Sequence, residues 1–85
     1  MALAIGDRIA ERRAALGLSR AKLGRMSALE AMAIYRWETG RATPSLVSAR
    51  ALARALGVTL DWLVDGRDQR SRTHRGPDEE ASADE

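Results

Sequence analysis

The stretch from Ser19 to Glu38, SRAKLGRMSALEAMAIYRWE, predicts two short helices joined by a tight turn. Ser19 is a good N-cap because its hydroxyl can accept a hydrogen bond from a free amide of the following turn. Ser27–Leu29 form the predicted bend, and Glu30 opens the second helix, where an acidic side chain suits the positive end of the helix dipole. The second helix is therefore expected to span residues 30–38, with a Tyr-Arg-Trp triplet near its end.

Three further helices are predicted around this pair. The first runs from Ile5 to Leu16, with apolar residues on one face. The fourth begins at Thr43-Pro44, where an N-cap is followed by a proline at the first helical position, and it continues to Leu56. Thr59 caps a short fifth helix from Leu60 to Val64. The sequence thus predicts an all-α fold without strands.

The apolar residues of these helices predict one core. Its expected members are Ile5, Ile9, Leu16, Leu18, Leu23, Ile34, Trp37, Leu46, Leu52, Leu56, Val58 and Leu63. The chain has 85 residues, which allow one small domain. We place that domain at residues 1–66, because no apolar periodicity continues beyond Gly66. Residues 67–85, basic and then acidic, are expected to form a disordered tail.

The charge is distributed unevenly along the chain. Residues 1–66 hold ten Lys and Arg against six Asp and Glu, a net charge of +4, whereas residues 67–85 hold four against six, a net charge of −2. A basic domain suits a polyanionic partner. A net charge of +4 is also ordinary for a soluble domain, so the charge alone does not decide the function.

Several classes of function find no support in the composition. The chain has no cysteine, which excludes disulfides and thiolate metal sites and suits the reducing cytoplasm. Residues 1–66 contain no histidine and no evident pair of carboxylates, so neither an enzyme nor a metal or cofactor site is expected. No apolar run approaches the ~20 residues that a membrane-spanning helix needs.

A set of residues at fixed offsets connects the chain to a known family. They are Leu16-Gly17-Leu18-Ser19, Leu23, Ile34, Arg36-Trp37-Glu38, Gly40, Pro44-Ser45, Ala55-Leu56-Gly57-Val58 and Leu60-Asp61-Trp62-Leu63. Together they resemble the phage-repressor and Cro-like helix-turn-helix regulators of bacteria and phages, also called the xenobiotic-response-element type. The resemblance covers about residues 5–66. It implies a compact five-helix lambda-repressor-like domain that binds double-stranded DNA, with the helix at residues 30–38 in the major groove, as a dimer on a near-palindromic site.

The resemblance implies contacts with the phosphate backbone from two places. Ser19 and Arg20 stand at the start of the second helix, where amides and a cation can meet a phosphate. Arg41 and Thr43 lie in the loop after the third helix, which touches the backbone in relatives. The alternative for both arginines is a solvated surface position.

Base reading is assigned to the third helix. Ile34 and Trp37 point to one side of it, and other sides carry Ala31, Met32, Tyr35 and Arg36. The resemblance implies base contacts at positions 31, 32 and 36. Of these three residues, only Arg36 can make a bidentate contact, most naturally to guanine O6 and N7. Ala31 and Met32 can meet thymine methyl groups, and Tyr35 can reach a phosphate or a sugar. The alternative for Met32 is core filling or a dimer contact.

Three positions concern the placement of the third helix rather than DNA. Arg13 and Glu38 match a family pair that joins the first helix to the end of the third, so the resemblance implies a structural ion pair. Ala28 stands where a turn glycine is common in the family. A left-handed conformation at this alanine is expected to cost about 1–2 kcal/mol.

Two functions remain open at this point. The first is a sequence-specific transcriptional regulator, with Trp62 and Val64 as candidate dimer contacts. The second is an antitoxin or accessory module whose main partner is a protein. For residues 77–85, the sequence leaves three uses: binding a basic partner, folding back over the DNA-facing arginines, or keeping the protein soluble.

Overall fold

The computed structural model describes residues 4–66, which form five helices and no strand. The helices are α1 (Ile5–Ala15), α2 (Arg20–Ser27), α3 (Ala31–Glu38), α4 (Leu46–Leu56) and α5 (Leu60–Asp65). None of these five helices is long and apolar enough to cross a membrane. The predicted all-α, five-helix fold is confirmed. The expected tail, residues 67–85, lies outside the described residues.

Side-chain caps determine where three of the helices begin. Ser19, Ser45 and Thr59 each accept a hydrogen bond from the backbone amide three residues later, at 3.0, 3.1 and 3.0 Å. The caps predicted at Ser19 and Thr59 are therefore confirmed. The predicted start of α4 at Thr43-Pro44 is wrong, because α4 begins at Leu46 and Ser45 provides the cap.

The core lies where α1 and α4 meet the other three helices. Its buried apolar members are Ile9, Leu23, Ile34, Ala49, Leu52, Ala53, Leu56 and Leu63. Trp37, Ile5, Leu18 and Val58 pack against this core but stay partly exposed. Leu16 and Leu46 were expected inside and are exposed instead. Leu16 follows the last residue of α1, and Leu46 opens α4 with its Cβ tilted beyond the helix end, so neither reaches the centre.

Two arginines of α1 bind the ends of other helices. Arg8 is buried, and its Nε donates to the carbonyl oxygen of Leu63 at 2.7 Å, near the end of α5. Arg12 Nε donates to the carbonyl oxygen of Leu56 at 3.0 Å, at the end of α4. The last carbonyls of a helix have no partner within it, and they carry its negative dipole end. These arginines therefore join α1 to α4 and α5.

Candidate nucleic-acid interface

The turn between α2 and α3 contains a strained residue. Ala28 has φ 60° and ψ 37°, and it is the one non-glycine residue with a positive φ among residues 4–66. A left-handed conformation at a residue with a Cβ costs about 1–2 kcal/mol. Ala28 thus adopts the left-handed conformation in spite of its Cβ. The turn directs the chain from α2 into α3 at the cost of some stability.

Gly24 allows the same turn to approach α2 closely. A Cβ at this position would lie 2.5 Å from the carbonyl oxygen of Leu29, which is closer than van der Waals contact permits. The Leu29 amide also donates to the Gly24 carbonyl oxygen at 2.8 Å. Sequence reasoning missed this glycine, because a glycine within a helix shows its purpose only when the neighbouring backbone is known.

Ala28→Gly should raise the free energy of unfolding by about 1 kcal/mol, since glycine adopts a positive φ without steric cost but loses more entropy on folding. Urea unfolding followed by circular dichroism measures the change. Gly17→Ala is the matched control, because Gly17 has φ 71° and no atom within 4 Å of its would-be Cβ. Gly17→Ala should lower the free energy of unfolding by about 1 kcal/mol. Equal stability of Ala28→Gly and the parent protein would contradict the conclusion that Ala28 is strained.

Helix α3 divides into an inner and an outer side. Ile34 is fully buried and Trp37 packs on the core, whereas Met32 is 57% exposed and Tyr35 and Arg36 are also exposed. The predicted division of α3 is confirmed, and core filling is excluded for Met32. The outer side thus combines an apolar side chain, an aromatic ring and a guanidinium.

Glu38 anchors the C-terminal end of α3 to two other helices. Its side chain is 2% exposed, and its carboxylate lies 2.7 Å from Arg13 Nε and 2.8 Å from Arg20 Nε. Arg13 donates a second hydrogen bond to the same carboxylate through Nη2 at 3.2 Å, and its Nη1 donates to the Leu18 carbonyl oxygen at 2.8 Å. The structure therefore contains the Arg13–Glu38 pair that the resemblance implies and extends it to a third member.

Arg20 has contacts that the sequence did not indicate. Besides its hydrogen bond to Glu38, its guanidinium carbon lies 5.1 Å from the ring centroid of Tyr35, within the range of a cation–π contact. The side chain is still 41% exposed. The sequence signal that could have indicated both contacts was the spacing of Tyr35 and Glu38. These two residues lie one turn apart on the same side of α3. Arg20 thus links the start of α2 to the outer side of α3.

The other predicted phosphate-binding residues lie at exposed positions. Arg41 and Thr43 are exposed in the loop after α3, and the Arg41 amide donates to the Arg36 carbonyl oxygen at 2.9 Å. Ser19 is exposed at the start of α2, where its hydroxyl oxygen is already used as the cap. A hydroxyl can still donate while it accepts. Ala31 is half-buried at the start of α3.

Comparison with known proteins agrees with this geometry. A family model described as helix-turn-helix matches residues 9–63. The chain belongs to the helix-turn-helix family. Its two motif helices are α2 and α3, and the resemblance to phage-repressor and Cro-like members of this family is confirmed.

Three relatives place the chain within the helix-turn-helix family. Repressor protein C2 of Salmonella phage P22 is 36% identical over 62 residues, which cover 73% of this chain but 29% of that protein. A crystal structure of the P22 c2 repressor with synthetic operator 9T has a TM-score of 0.73 at 34% identity and covers 76% of this chain and 98% of that chain. The restriction-modification controller protein C.AhdI from Aeromonas hydrophila has a TM-score of 0.67 at 36% identity, covering 69% and 89% of the two chains. The chain spans less than a third of the curated relative it matches.

Proposed function

We propose that this chain is a sequence-specific transcriptional regulator that reads the DNA major groove with α3. The observation that supports this function is the outer side of α3, where Met32, Tyr35 and Arg36 are exposed opposite the buried Ile34. The major groove is about 12 Å wide and admits one α-helix. The related P22 c2 repressor is described in complex with a synthetic operator. This function, rather than catalysis, is what the family membership favours.

In this proposal, the residues of α3 have different tasks at the bases. Arg36 donates two parallel hydrogen bonds to guanine O6 and N7. Ala31 and Met32 contact thymine methyl groups, because neither side chain can donate a hydrogen bond. Tyr35 lies beside Arg20 and contacts a phosphate or a sugar. One strong base contact per helix gives limited discrimination, so specificity depends on a second half-site.

The proposed phosphate contacts come from Ser19, Arg20, Arg41 and Thr43. Glu38 partly offsets the attraction of Arg20 for a phosphate, since its carboxylate accepts a hydrogen bond from Arg20 at 2.8 Å. Glu30 is exposed at the start of α3, where its carboxylate repels nearby phosphates. We therefore expect a single domain to bind DNA with moderate affinity, which falls as the salt concentration rises.

A homodimer would supply the second half-site. Two copies on a near-palindrome place their α3 helices about 34–36 Å apart, one turn of the duplex. Val64 is exposed and Trp62 is half-buried on α5, which makes this helix the proposed dimer contact. A regulator of bacterial or phage DNA would work in the cytoplasm. We also propose that the domain ends at residue 66.

Arg36→Ala should weaken binding to the preferred duplex by about 1–3 kcal/mol and relax the preference at one base pair. The reason is that the two donors to guanine disappear, while the phosphate contacts remain. The preferred duplex is first selected from a random pool with the full chain. Fluorescence anisotropy then compares it with duplexes that differ at single base pairs.

Arg25→Ala is the control for this experiment, because Arg25 is exposed on α2 and lies outside the proposed contacts. It should leave the base preference unchanged. If Arg36→Ala weakens all duplexes equally, Arg36 contacts the backbone and the assignment is wrong. A complete lack of duplex binding at low salt would reject the regulator and favour the antitoxin or accessory module, whose partner is a protein.

A further inference from the structure

A groove runs between the C-terminal end of α2 and the outer face of α4. Its two adjoining parts have volumes of about 230 and 400 Å³. The residues that define it, called the α2–α4 groove here, are Met26, Val47, Arg50, Ala51, Arg54 and Ala55. None of these residues belongs to α3, so the groove is separate from the proposed base-reading surface.

The lining of the α2–α4 groove indicates the chemistry of its occupant. Ala51 and Ala55 make a shallow floor of small side chains, and Val47 is 77% exposed at one end. Arg50 and Arg54 are exposed on the same side of α4, one turn apart, where their like charges repel each other. Within residues 4–66, no carboxylate forms an ion pair with either arginine. An occupant with acidic side chains would pair with the two arginines, and small side chains on the same occupant would contact the floor.

A second copy of the same groove does not fit this description. A symmetric dimer would place the same patch on both subunits, so Arg50 and Arg54 would face the same two arginines of the other copy. Duplex DNA could use the two charges, but it would leave the exposed Met26 and Val47 side chains without an apolar partner. The best match is a peptide segment that carries small residues between carboxylates.

The chain itself contains such a segment. Residues 78–85, DEEASADE, hold five acidic residues and no basic residue, and the remaining three are Ala81, Ser82 and Ala83. Eleven residues separate Gly66 from Asp78. An extended segment of this length spans roughly 36–40 Å, which exceeds two of the three principal-axis extents of 42 × 31 × 24 Å. A short connection within one chain also gives a local concentration in the millimolar range.

We infer that residues 78–85 bind in the α2–α4 groove of the same chain, with carboxylates paired to Arg50 and Arg54. The methyl groups of Ala81 and Ala83 suit the apolar floor of Ala51 and Ala55. The inference does not depend on DNA binding. In this arrangement, residues 78–85 contact the domain at the α2–α4 groove, and α3 stays accessible.

The test compares amide ¹H–¹⁵N NMR spectra of the full chain and a full-length variant with a neutral segment. The substitutions are Asp78→Asn, Glu79→Gln, Glu80→Gln, Asp84→Asn and Glu85→Gln. We expect shift differences at residues 26–28 and 47–55. These differences should be lost in Arg50→Glu/Arg54→Glu and at about 1 M salt, where the Debye length is about 3 Å. Both arginines are exposed, and thermal unfolding of each variant checks that the fold is kept.

Arg36→Glu is the control, because it changes the same type of charge on α3 and should leave the differences in place. Differences centred on α3 and residues 39–43 would overturn the inference and place the acidic segment on the DNA-facing side. Differences that grow with protein concentration would assign the contact to another copy, and an absence of differences would show that the segment does not bind the domain. Each of these three results rejects the inference.

Discussion

Replacing Glu38 with alanine should lower the free energy of unfolding by about 3 kcal/mol, the lower end of the range for breaking a buried ion pair. The carboxylate is 2% exposed and accepts hydrogen bonds from Arg13 and Arg20. Its removal leaves the Arg13 guanidinium without a counter-charge in a site with little access to water. The value is at the lower end because Arg20 can turn towards solvent. Urea unfolding of parent and variant measures the loss.

Arg13→Ala and the double variant Arg13→Ala/Glu38→Ala complete a double-mutant cycle for the pair. We expect the double variant to lose less than the sum of the two single losses, since no unpaired charge remains at that site. Glu38→Gln is the closest control in shape; it removes the charge and replaces one of the two accepting oxygens with an NH2 donor. A loss below about 1 kcal/mol for Glu38→Ala, typical of a surface pair, would show that the cluster contributes little to the placement of α3.

Gly6→Ala should also lower the free energy of unfolding, by about 3 kcal/mol. A Cβ at this position would lie 2.0 Å from the carbonyl oxygen of Trp37 and 3.2 Å from the Cα of Glu38. Alanine normally stabilises a helix interior by about 1 kcal/mol relative to glycine, so a loss would show that the contact with α3 outweighs helix propensity. Since a domain of this size has a total stability of about 3–9 kcal/mol, thermal unfolding should show the change clearly.

Gly40→Ala is the control for Gly6→Ala. Gly40 follows the C-terminal end of α3 with φ 79°, and no atom lies within 4 Å of its would-be Cβ. It should lose only about 1 kcal/mol, the cost of the left-handed conformation. If Gly6→Ala is as stable as the parent, α1 and α3 can separate without cost, and the close approach at Gly6 is unimportant for stability.

Both predictions concern the same end of α3, where α1 and α2 hold the helix that we propose to read DNA. Gly6 permits the backbones of α1 and α3 to meet, and Glu38 then joins α3 to Arg13 and Arg20. Arg36 lies two residues before Glu38, so a shift of this end would move its guanidinium as well. We therefore expect variants at Gly6 and Glu38 that still fold to weaken DNA binding without any direct contact with DNA.

The helices were predictable because their signals are local. Ser19 and Thr59 cap amides only three residues away, and Gly57 and Gly66 end α4 and α5 with a positive φ. The start of α4 was not predictable in the same way. Thr43 and Ser45 both have hydroxyls suitable for a cap, and in the structure it is Ser45 that accepts the hydrogen bond from the Ser48 amide.

The sequence by itself determined the five helices, the turn at Ala28 and the outer side of α3, because each depends on residues within one or two turns of chain. Only the tertiary structure decided how α3 is held. Arg8 meets Leu63 across 55 residues, Arg13 meets Glu38 across 25, and Gly6 meets Trp37 through an approach of two backbones. Periodicity shows which face of a helix turns inward, but it does not show which carbonyl a buried arginine will reach. Such contacts form only when the helices have packed, since packing brings together groups that are distant in the chain.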